Sequence, residues 1–334
     1  MTSTPVGWPR VAVVMAVRNE RANLPAALEA VRAQDYPGEV EVCVAAAPSD
    51  DGTEDLAREL AAEDPRVRVV ANPAAVTPAG LNAAIAATTG DVVVRVDGHA
   101  VLPPGYVRRA VEVLEETGAD NVGGIMAAEG DTPFTRAVAT AMRSRFGTGD
   151  ARFHTGGPPG PVDTVYLGVF RRSALERVGG FDERLVRTQD AELNHRIRAT
   201  GGLVWFHPDL RVSYRPRGTL RALARQYYEY GRWRRVVVRR HPDSLAWRQL
   251  APPVALLGVA AGAVLGLAGS RPGASVLRLG WLAPAGYAGG TVAAAAVAGR
   301  GLEPPARAWL PVVFAVMHGC WAVGFVTSPS DLGR

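Results

Sequence analysis

The chain has 334 residues and a formal net charge of +5 at pH 7, and it is long enough for one large domain and an appendage. Eleven arginines against three acidic residues lie from Trp205 to Arg248, so the basic charge is local and argues against a nucleic-acid-binding protein. The two cysteines, Cys43 and Cys320, indicate neither a disulfide framework nor a cysteine-rich metal site.

Short apolar runs alternate with segments of helical spacing in the first part of the chain. The predicted strands cover residues 11–17, 40–46, 67–71 and 91–96, and the predicted helices cover residues 24–34, 54–63, 78–88 and 106–117. This alternation predicts an α/β domain with a mostly parallel sheet and helices on both faces. No loop has the glycine spacing of a dinucleotide site or a P-loop, which excludes a typical dehydrogenase or P-loop NTPase.

Asp97 and His99 come directly after the fourth predicted strand, at the edge of the sheet where α/β proteins bind ligands. Residues two apart in an extended segment project to the same side, so both side chains can reach one point. One carboxylate oxygen and one imidazole nitrogen suit Mn²⁺ or a similar divalent cation. The alternative interpretation is a strand-end turn with a surface aspartate and histidine.

Asp190 lies at the predicted start of a helix, and two interpretations are open for it. Its carboxylate could cap the helix, a contact worth about 0.5–2 kcal/mol. It could equally act as a general base, since the helix dipole favours the ionised form that such a base needs at neutral pH.

Three runs without an acidic or basic residue follow residue 248, from Gln249 to Ser270, Leu279 to Gly299 and Ala308 to Ser330. Each approaches or exceeds the roughly 20 residues that a membrane-spanning helix needs, so we predict three transmembrane helices. The alternative is a pair of buried helices in a soluble domain.

The arginine-rich segment next to the first apolar run favours the cytoplasmic side of the membrane. Residues 1–9 contain no long apolar stretch, so we expect no signal peptide and a cytoplasmic N-terminal domain. These features predict a multi-pass protein of the inner (plasma) membrane.

Several motifs, taken in order, resemble those of inverting glycosyltransferase family 2. They are Val-Arg-Asn-Glu (17–20), Ser-Asp-Asp-Gly-Thr (49–53), Gly-Leu-Asn-Ala-Ala-Ile (80–85), Val-Asp-Gly-His-Ala (96–100), Gly-Gly-Phe-Asp-Glu (179–183) and Gln-Asp-Ala-Glu-Leu (189–193). The segment 220–233 and the tail with His318 and Trp321 are similar to the succinoglycan-biosynthesis type of membrane glycosyltransferase. The resemblance implies a GT-A catalytic domain over residues 1–215, a juxtamembrane amphipathic segment over 216–248 and a transmembrane region over 249–334.

The resemblance also implies a nucleotide-sugar donor, most simply a UDP-sugar, and it assigns roles to individual residues. Asp190 would be the general base, and Asp97 with His99 would hold the metal, with Mn²⁺ favoured over Mg²⁺. The remaining assignments are Asn19 and Glu20 at the nucleoside, Asn82 near the donor, and Gln226, Arg232 and Trp233 on the acceptor and diphosphate side.

The chain departs from the family pattern at three positions. Ala46 stands where many members have an aspartate, so a contact with uracil or ribose is missing or is supplied by Asp50 or Asp51. The metal pair is Asp-x-His rather than Asp-x-Asp, and Gln189 replaces a common glutamate.

The function implied is transfer of one sugar to an acceptor at the bilayer surface, such as a polyprenyl-linked glycan. The alternatives are a polyprenyl-phosphate sugar synthase and a non-catalytic subunit of a polysaccharide assembly complex.

Overall fold

The computed structural model describes residues 7–333, which form two compact units. Among the described residues, the first unit comprises residues 7–127 and Gly156–Tyr214, and the second comprises Ala128–Thr155 and residues 215–333. Residues 1–6, on which the expectation of no signal peptide partly depends, lie outside the described residues.

The strands and helices follow in chain order. The strands are β1 Val11–Val17, β2 Val40–Ala46, β3 Val67–Ala71, β4 Val92–Arg95, β5 Asn121–Ala128, β6 Gly160–Pro161, β7 Tyr166–Arg171 and β8 Val204–Tyr214. The helices are α1 Leu24–Arg32, α2 Thr53–Glu63, α3 Thr77–Ala86, α4 Tyr106–Thr117, α5 Pro133–Met142, α6 Arg145–Thr148, α7 Arg152–Thr155, α8 Arg172–Val178, α9 Gln189–Ala199, α10 Leu220–Arg240, α11 Trp247–Ala268, α12 Leu282–Ala298 and α13 Pro304–Val326.

The strands form one sheet in the order β3-β2-β1-β4-β7-β5-β8-β6. The pairs β1–β2, β1–β4 and β2–β3 are parallel, as the alternation of strands and helices predicted. Beyond β4 the pairs β4–β7, β5–β7 and β6–β8 are antiparallel. The parallel half therefore brings the carboxyl ends of β1, β2 and β4 to one edge of the sheet.

Alternate residues of β1 supply the cores on the two faces of the sheet, because successive side chains of a strand point in opposite directions. Val13 and Met15 belong to one buried cluster together with Leu28 of α1. Val14 belongs to a second cluster together with Leu193 of α9. The predicted α/β architecture, with apolar cover on both faces, is confirmed.

Segment 128–155, which the sequence analysis included in the catalytic domain, belongs to the second unit. The physical reason is that α5 lies against α13, and the side chain of Arg136 pairs with Glu303 at 2.7 Å. The catalytic-domain boundary predicted at residue 215 lies where the first unit ends, after Tyr214.

The prediction of three transmembrane helices is wrong in number, since within residues 7–333 two helices, α11 and α13, are long and apolar enough to cross a membrane. The middle run, Leu279 to Gly299, begins inside a 3₁₀ segment, Ser275–Trp281, so α12 has only 17 residues. Less than a fifth of the most apolar part of α11 is buried, so most of its apolar surface is exposed, unlike that of a typical core helix.

Helices α10 and α13 approach so closely that only glycine fits at their contact. A Cβ atom on Gly324 would overlap the backbone oxygen of Tyr228, and one on Gly231 would overlap the backbone oxygen of Trp321. Small residues at a crossing allow two helix backbones to pack directly. The crossing therefore fixes α10 against α13.

We predict that Gly324→Ala lowers the thermal unfolding temperature of the detergent-solubilised protein, because the added methyl group forces the two helices apart at a cost of about 1–3 kcal/mol. The matched control is Gly319→Ala in the same helix, where an added Cβ meets nothing within 4 Å. The control should be neutral or stabilising, since alanine favours a helix by about 1 kcal/mol over glycine. If Gly324→Ala and wild type unfolded at the same temperature, the close backbone contact between α10 and α13 at Gly324 would be contradicted.

Candidate active site

The loops after β1 and β2 are joined by hydrogen bonds at the carboxyl edge of the sheet. The backbone N–H of Asp50 donates to Oδ1 of Asn19 at 2.9 Å, and the N–H of Asn19 donates to Oγ of Ser49 at 3.2 Å. The N–H of Glu20 donates to Oγ1 of Thr53 at 2.8 Å. Asn19 has a φ of 54°, a left-handed conformation that asparagine tolerates better than most residues. The two loops thus form one fixed polar rim.

Asp51 holds this rim together with both of its carboxylate oxygens. Oδ1 accepts from the N–H of Thr53 at 3.0 Å and from its hydroxyl at 2.5 Å, while Oδ2 accepts from the N–H of Arg21 at 3.0 Å. The hydrogen bond from the Thr53 hydroxyl is the main reason why the pKa of Asp51 lies below its ordinary value. Contact of Asp51 with a nucleoside stays a prediction.

His99 lies against Glu20, with its Nδ1 at 2.7 Å from Oε1 of the carboxylate. The histidine side chain is half exposed, whereas Glu20 is 18% exposed. A carboxylate at Nδ1 favours the tautomer that carries its proton there and presents the lone pair on Nε2. Glu20, predicted to be at the nucleoside, therefore directly orients the predicted metal ligand.

Arg95, at the end of β4, extends its guanidinium into the interior of the first unit. Its side chain is only 7% exposed. Nη2 and Nε donate to Oδ1 of Asp97 at 2.9 and 3.2 Å, and Nη1 donates to Oδ1 of Asp190. Burial lowers the pKa of Arg95, but the charges of Asp190 and Asp97 outweigh it and raise that pKa above its ordinary value. The predicted base and the predicted metal ligand are therefore joined by one buried cation.

Asp190 lies in the first turn of α9, but it does not cap the helix. The N-cap residue is Thr188, with a φ of 60° and no side-chain capping bond. The capping interpretation of Asp190 is thus wrong, since its carboxylate is turned to Arg95 instead. Burial raises the pKa of the Asp190 carboxyl, and the charge of Arg95 opposes that rise.

Helix α9 is anchored independently of Asp190. One turn further on, Asn194 accepts from Nδ2 of Asn121 at 2.6 Å and donates to Oγ1 of Thr164 at 2.9 Å. Arg196 pairs with the buried Glu192 at 2.7 Å and also donates to the carbonyl of Gly180 at 2.7 Å. These contacts fix the helix axis on which Asp190 is carried.

Asn82 clamps the Gly-Gly-Phe-Asp-Glu loop. Its Oδ1 accepts from the N–H of Phe181 at 2.9 Å, and its Nδ2 donates to the carbonyl of Phe181 and to Oε1 of Glu183, each at 2.9 Å. The amide is therefore occupied by protein groups, and a role near the donor stays a prediction.

The predicted acceptor-side residues lie on α10 of the second unit. Gln226 donates to the hydroxyl of Tyr230 at 2.9 Å, and Arg232 pairs with Glu229 at 3.1 Å. Trp233 is 7% exposed and packs inside the second unit, so its ring surface is largely covered. Contacts of these residues with an acceptor stay predictions.

The sequence analysis missed Arg95, although the signal was present. An arginine near the end of a strand predicted to be buried requires a carboxylate partner, because buried charges are almost always paired. The sequence did not indicate which carboxylate that would be. Tyr166, whose buried hydroxyl has a raised pKa and interacts electrostatically with Asp97, was missed as well.

Comparison with known proteins identifies the family. Residues 12–179 match the Glycosyl transferase family 2 domain. This chain belongs to glycosyltransferase family 2. It is 32% identical over 332 residues to the succinoglycan biosynthesis protein ExoA of Rhizobium meliloti (strain 1021), covering 96% of each chain. It is 29% identical over 205 residues to the beta-monoglucosyldiacylglycerol synthase of Synechocystis sp., covering 58% of this chain and 41% of the relative.

A solved structure shows the same fold. The mannosyltransferase PcManGT from Pyrobaculum calidifontis, determined in complex with GDP-Man and Mn²⁺, superimposes with a TM-score of 0.64 at 23% identity. The match covers 96% of this chain and 88% of that one. The GT-A-like fold and the resemblance to the succinoglycan-biosynthesis type are both confirmed.

We predict that Asn82→Ala lowers the thermal unfolding temperature, because it leaves the backbone N–H and C=O of Phe181 without partners, at about 1–3 kcal/mol for each buried group. Glu183→Ala is the matched comparison, since it removes only the contact to an exposed side chain and should change the melting temperature far less. If Asn82→Ala melted like wild type but no longer bound nucleotide, Asn82 would contact the donor and would not clamp the loop.

Proposed function

We propose that this family 2 glycosyltransferase transfers a sugar, with inversion, from a metal-bound nucleotide-sugar to a lipid-linked acceptor at the membrane surface. One observation carries the proposal: at the carboxyl edge of the sheet Arg95 joins the carboxylate of Asp190 to that of Asp97, and His99, two residues after Asp97, pairs with Glu20. A base beside a diphosphate-binding site is what direct displacement requires.

The donor set at Asp97 and His99 fits a divalent cation. Arg95 contacts Oδ1 of Asp97, and Glu20 contacts Nδ1 of His99, and we propose Oδ2 of Asp97 and Nε2 of His99 as the metal-binding atoms. Among residues 7–333 no cluster of three or more such side chains could hold a metal alone. Phosphate oxygens of the donor would therefore complete the coordination, as is usual for cations that bind with nucleotide diphosphates.

The proposed reaction follows from these positions. The acceptor hydroxyl attacks the anomeric carbon while Asp190 takes its proton, and the bond to the nucleoside diphosphate breaks on the opposite face. The metal would neutralise the charge that develops on the diphosphate. Arg95 and Glu20 hold Asp190 and His99 in position during this step. A single displacement of this kind inverts the anomeric configuration.

The nucleotide is proposed to be a uridine diphosphate, with a guanosine diphosphate as the alternative that the solved mannosyltransferase supports. Ala46 is buried at the end of β2 and offers no polar group to a base or ribose. Asp50 and Asp51 lie on the rim that would face the nucleoside, which supports them as the substitute contacts.

The membrane location is supported by the second unit. Helices α11 and α13 are candidate membrane spans, and α11 exposes Val254, Leu257 and Val264 by 58–66%. The arginine-rich segment before α11 favours a cytoplasmic catalytic unit at the plasma membrane. An acceptor on a lipid carrier, such as a polyprenyl-linked glycan, would be held at that surface. A relative named for succinoglycan biosynthesis and another named for a diacylglycerol glycolipid support a lipid-linked acceptor.

The proposal is tested by calorimetric titration of the detergent-solubilised protein with UDP, GDP and dTDP, each with and without Mn²⁺. Metal-dependent binding of one nucleotide is expected, followed by transfer from the corresponding sugar donor to a lipid-linked acceptor. Folded protein that binds none of the three would contradict the donor site. A product that releases its sugar in mild acid would indicate direct transfer to a polyprenyl phosphate.

We predict that Asp190→Asn reduces transfer at least about 1,000-fold while nucleotide affinity changes little, because the amide cannot take the acceptor proton. The measurement pairs single-turnover transfer with nucleotide titration. Substantial transfer by Asp190→Asn would remove this residue from the role of base.

We predict that Asp97→Ala and His99→Ala each weaken Mn²⁺-dependent nucleotide binding. Glu20→Gln should weaken this binding by about 10-fold or more, because His99 loses the carboxylate that orients its ring. Titration of Mn²⁺ into the protein in the presence of nucleotide, followed by electron paramagnetic resonance, measures the metal directly. Arg58→Gln on α2 serves as a surface control. Unchanged Mn²⁺ affinity in all three variants would refute the metal assignment.

A further inference from the structure

We infer that Arg95 is a positioning residue that sets the orientation of the Asp190 carboxylate relative to the diphosphate side of the site. This inference rests on the proposed function, in which Asp190 is the base. Arg95 touches neither the acceptor nor the donor in this account. It acts through the two carboxylates that its guanidinium joins.

The geometry of the contact needs a guanidinium in particular. Nη2 and Nε point to Asp97, and Nη1 points to Asp190, so one rigid planar group addresses two carboxylates in different directions. An ammonium group is a compact charge on a flexible stem and cannot keep both partners in a fixed relation. The position of one carboxylate is thereby coupled to the position of the other.

Asp190 depends on this contact for its orientation. It has no capping bond to the backbone of its own helix, and its Oδ1 is the oxygen that Arg95 holds. Among residues 7–333 no other hydrogen bond to the Asp190 carboxylate is present, which leaves Oδ2 for the hydroxyl of an acceptor. Without Arg95 the carboxylate could rotate away from the reacting atoms.

The fold does not depend on this contact in the same way. Helix α9 is held by the hydrogen bonds of Asn194 and by the Arg196–Glu192 pair, both of which remain when Arg95 is replaced. A loss of activity in an Arg95 variant can therefore be separated from a loss of folded protein.

The test compares Arg95→Gln, Arg95→Lys and the surface control Arg58→Gln. Arg58 lies on α2 and, within the part of the chain that the structure describes, pairs only with its helix neighbours Glu54 and Asp55, so its replacement should leave kcat unchanged. The readouts are kcat at saturating donor and acceptor, the Kd of the nucleotide with Mn²⁺, and the thermal unfolding temperature.

We expect Arg95→Gln to lower kcat about 100-fold, the cost of a base displaced by about an ångström, and to weaken the nucleotide Kd with Mn²⁺ by about 10-fold at most, because Asp97 also loses its contact with Arg95. Arg95→Lys should recover part of the loss, because it keeps the charge but contacts one carboxylate at a time. If Arg95→Gln does not fold, Arg95→Lys alone decides, with an expected kcat between those of wild type and Asp190→Asn.

The inference is overturned if folded Arg95→Gln, or Arg95→Lys when only that variant folds, keeps kcat close to wild type. It is also overturned if the whole loss appears in nucleotide affinity with kcat unchanged, since Arg95 would then serve the donor. Failure of the proposed function is a different result, because wild-type protein would then bind no nucleotide or transfer no sugar.

Discussion

A guanidinium in the interior of a protein requires carboxylate partners, because an uncompensated buried ion costs several kcal/mol. In this chain that constraint connects the strand that ends at Arg95 with the helix that carries Asp190. The two partly exposed carboxylates in turn are stabilised by the cation, since two negative charges so close together would repel each other. The positions of the two carboxylates in the candidate active site are therefore set by their charge interaction with Arg95, while other contacts hold helix α9 in the first unit.

Three of the four non-glycine residues with positive φ among residues 7–333 lie next to residues discussed at the site. Asn19, Leu167 and Thr188 have φ values of 54°, 45° and 60°, in the left-handed region that side chains other than glycine rarely adopt, and the fourth, Ala75, lies in the loop after β3. Asn19 precedes Glu20, Leu167 follows Tyr166, and Thr188 lies two residues before Asp190. Strain of this kind costs about 1–3 kcal/mol per residue and persists only where surrounding contacts fix the backbone. Its position here agrees with a site arranged for chemistry.

Local sequence patterns were sufficient to predict the parallel half of the fold. β1 and β2 have the predicted bounds, because each contains a run of at least five apolar residues, most of them buried, that ends at a polar loop. The placement of Asp97 and His99 after β4 followed from the same pattern. The contact between Arg95 and Asp190 could not be predicted, since the two residues are far apart in sequence and meet only through the antiparallel strand β7 and the connections that follow it.

Patterns of apolar residues were less informative in the second unit. A run without charges predicts burial or a membrane, but it does not reveal that Ser275–Trp281 adopts a 3₁₀ conformation and shortens α12. Likewise, composition did not reveal that α5 packs with α13. Glycine is a common residue type in such helices. Only the structure shows that Gly231 and Gly324 lie at the crossing of α10 and α13.

The central claim is that Asp190 acts as the base in a single displacement, and the stereochemistry of the product tests this most directly. A donor whose sugar is α-linked to the nucleotide would be supplied, and the anomeric configuration of the transferred sugar would be determined by nuclear magnetic resonance. The account predicts a β-linked product. An α-linked product would require two displacements or a front-side mechanism, and would contradict the role given to Asp190.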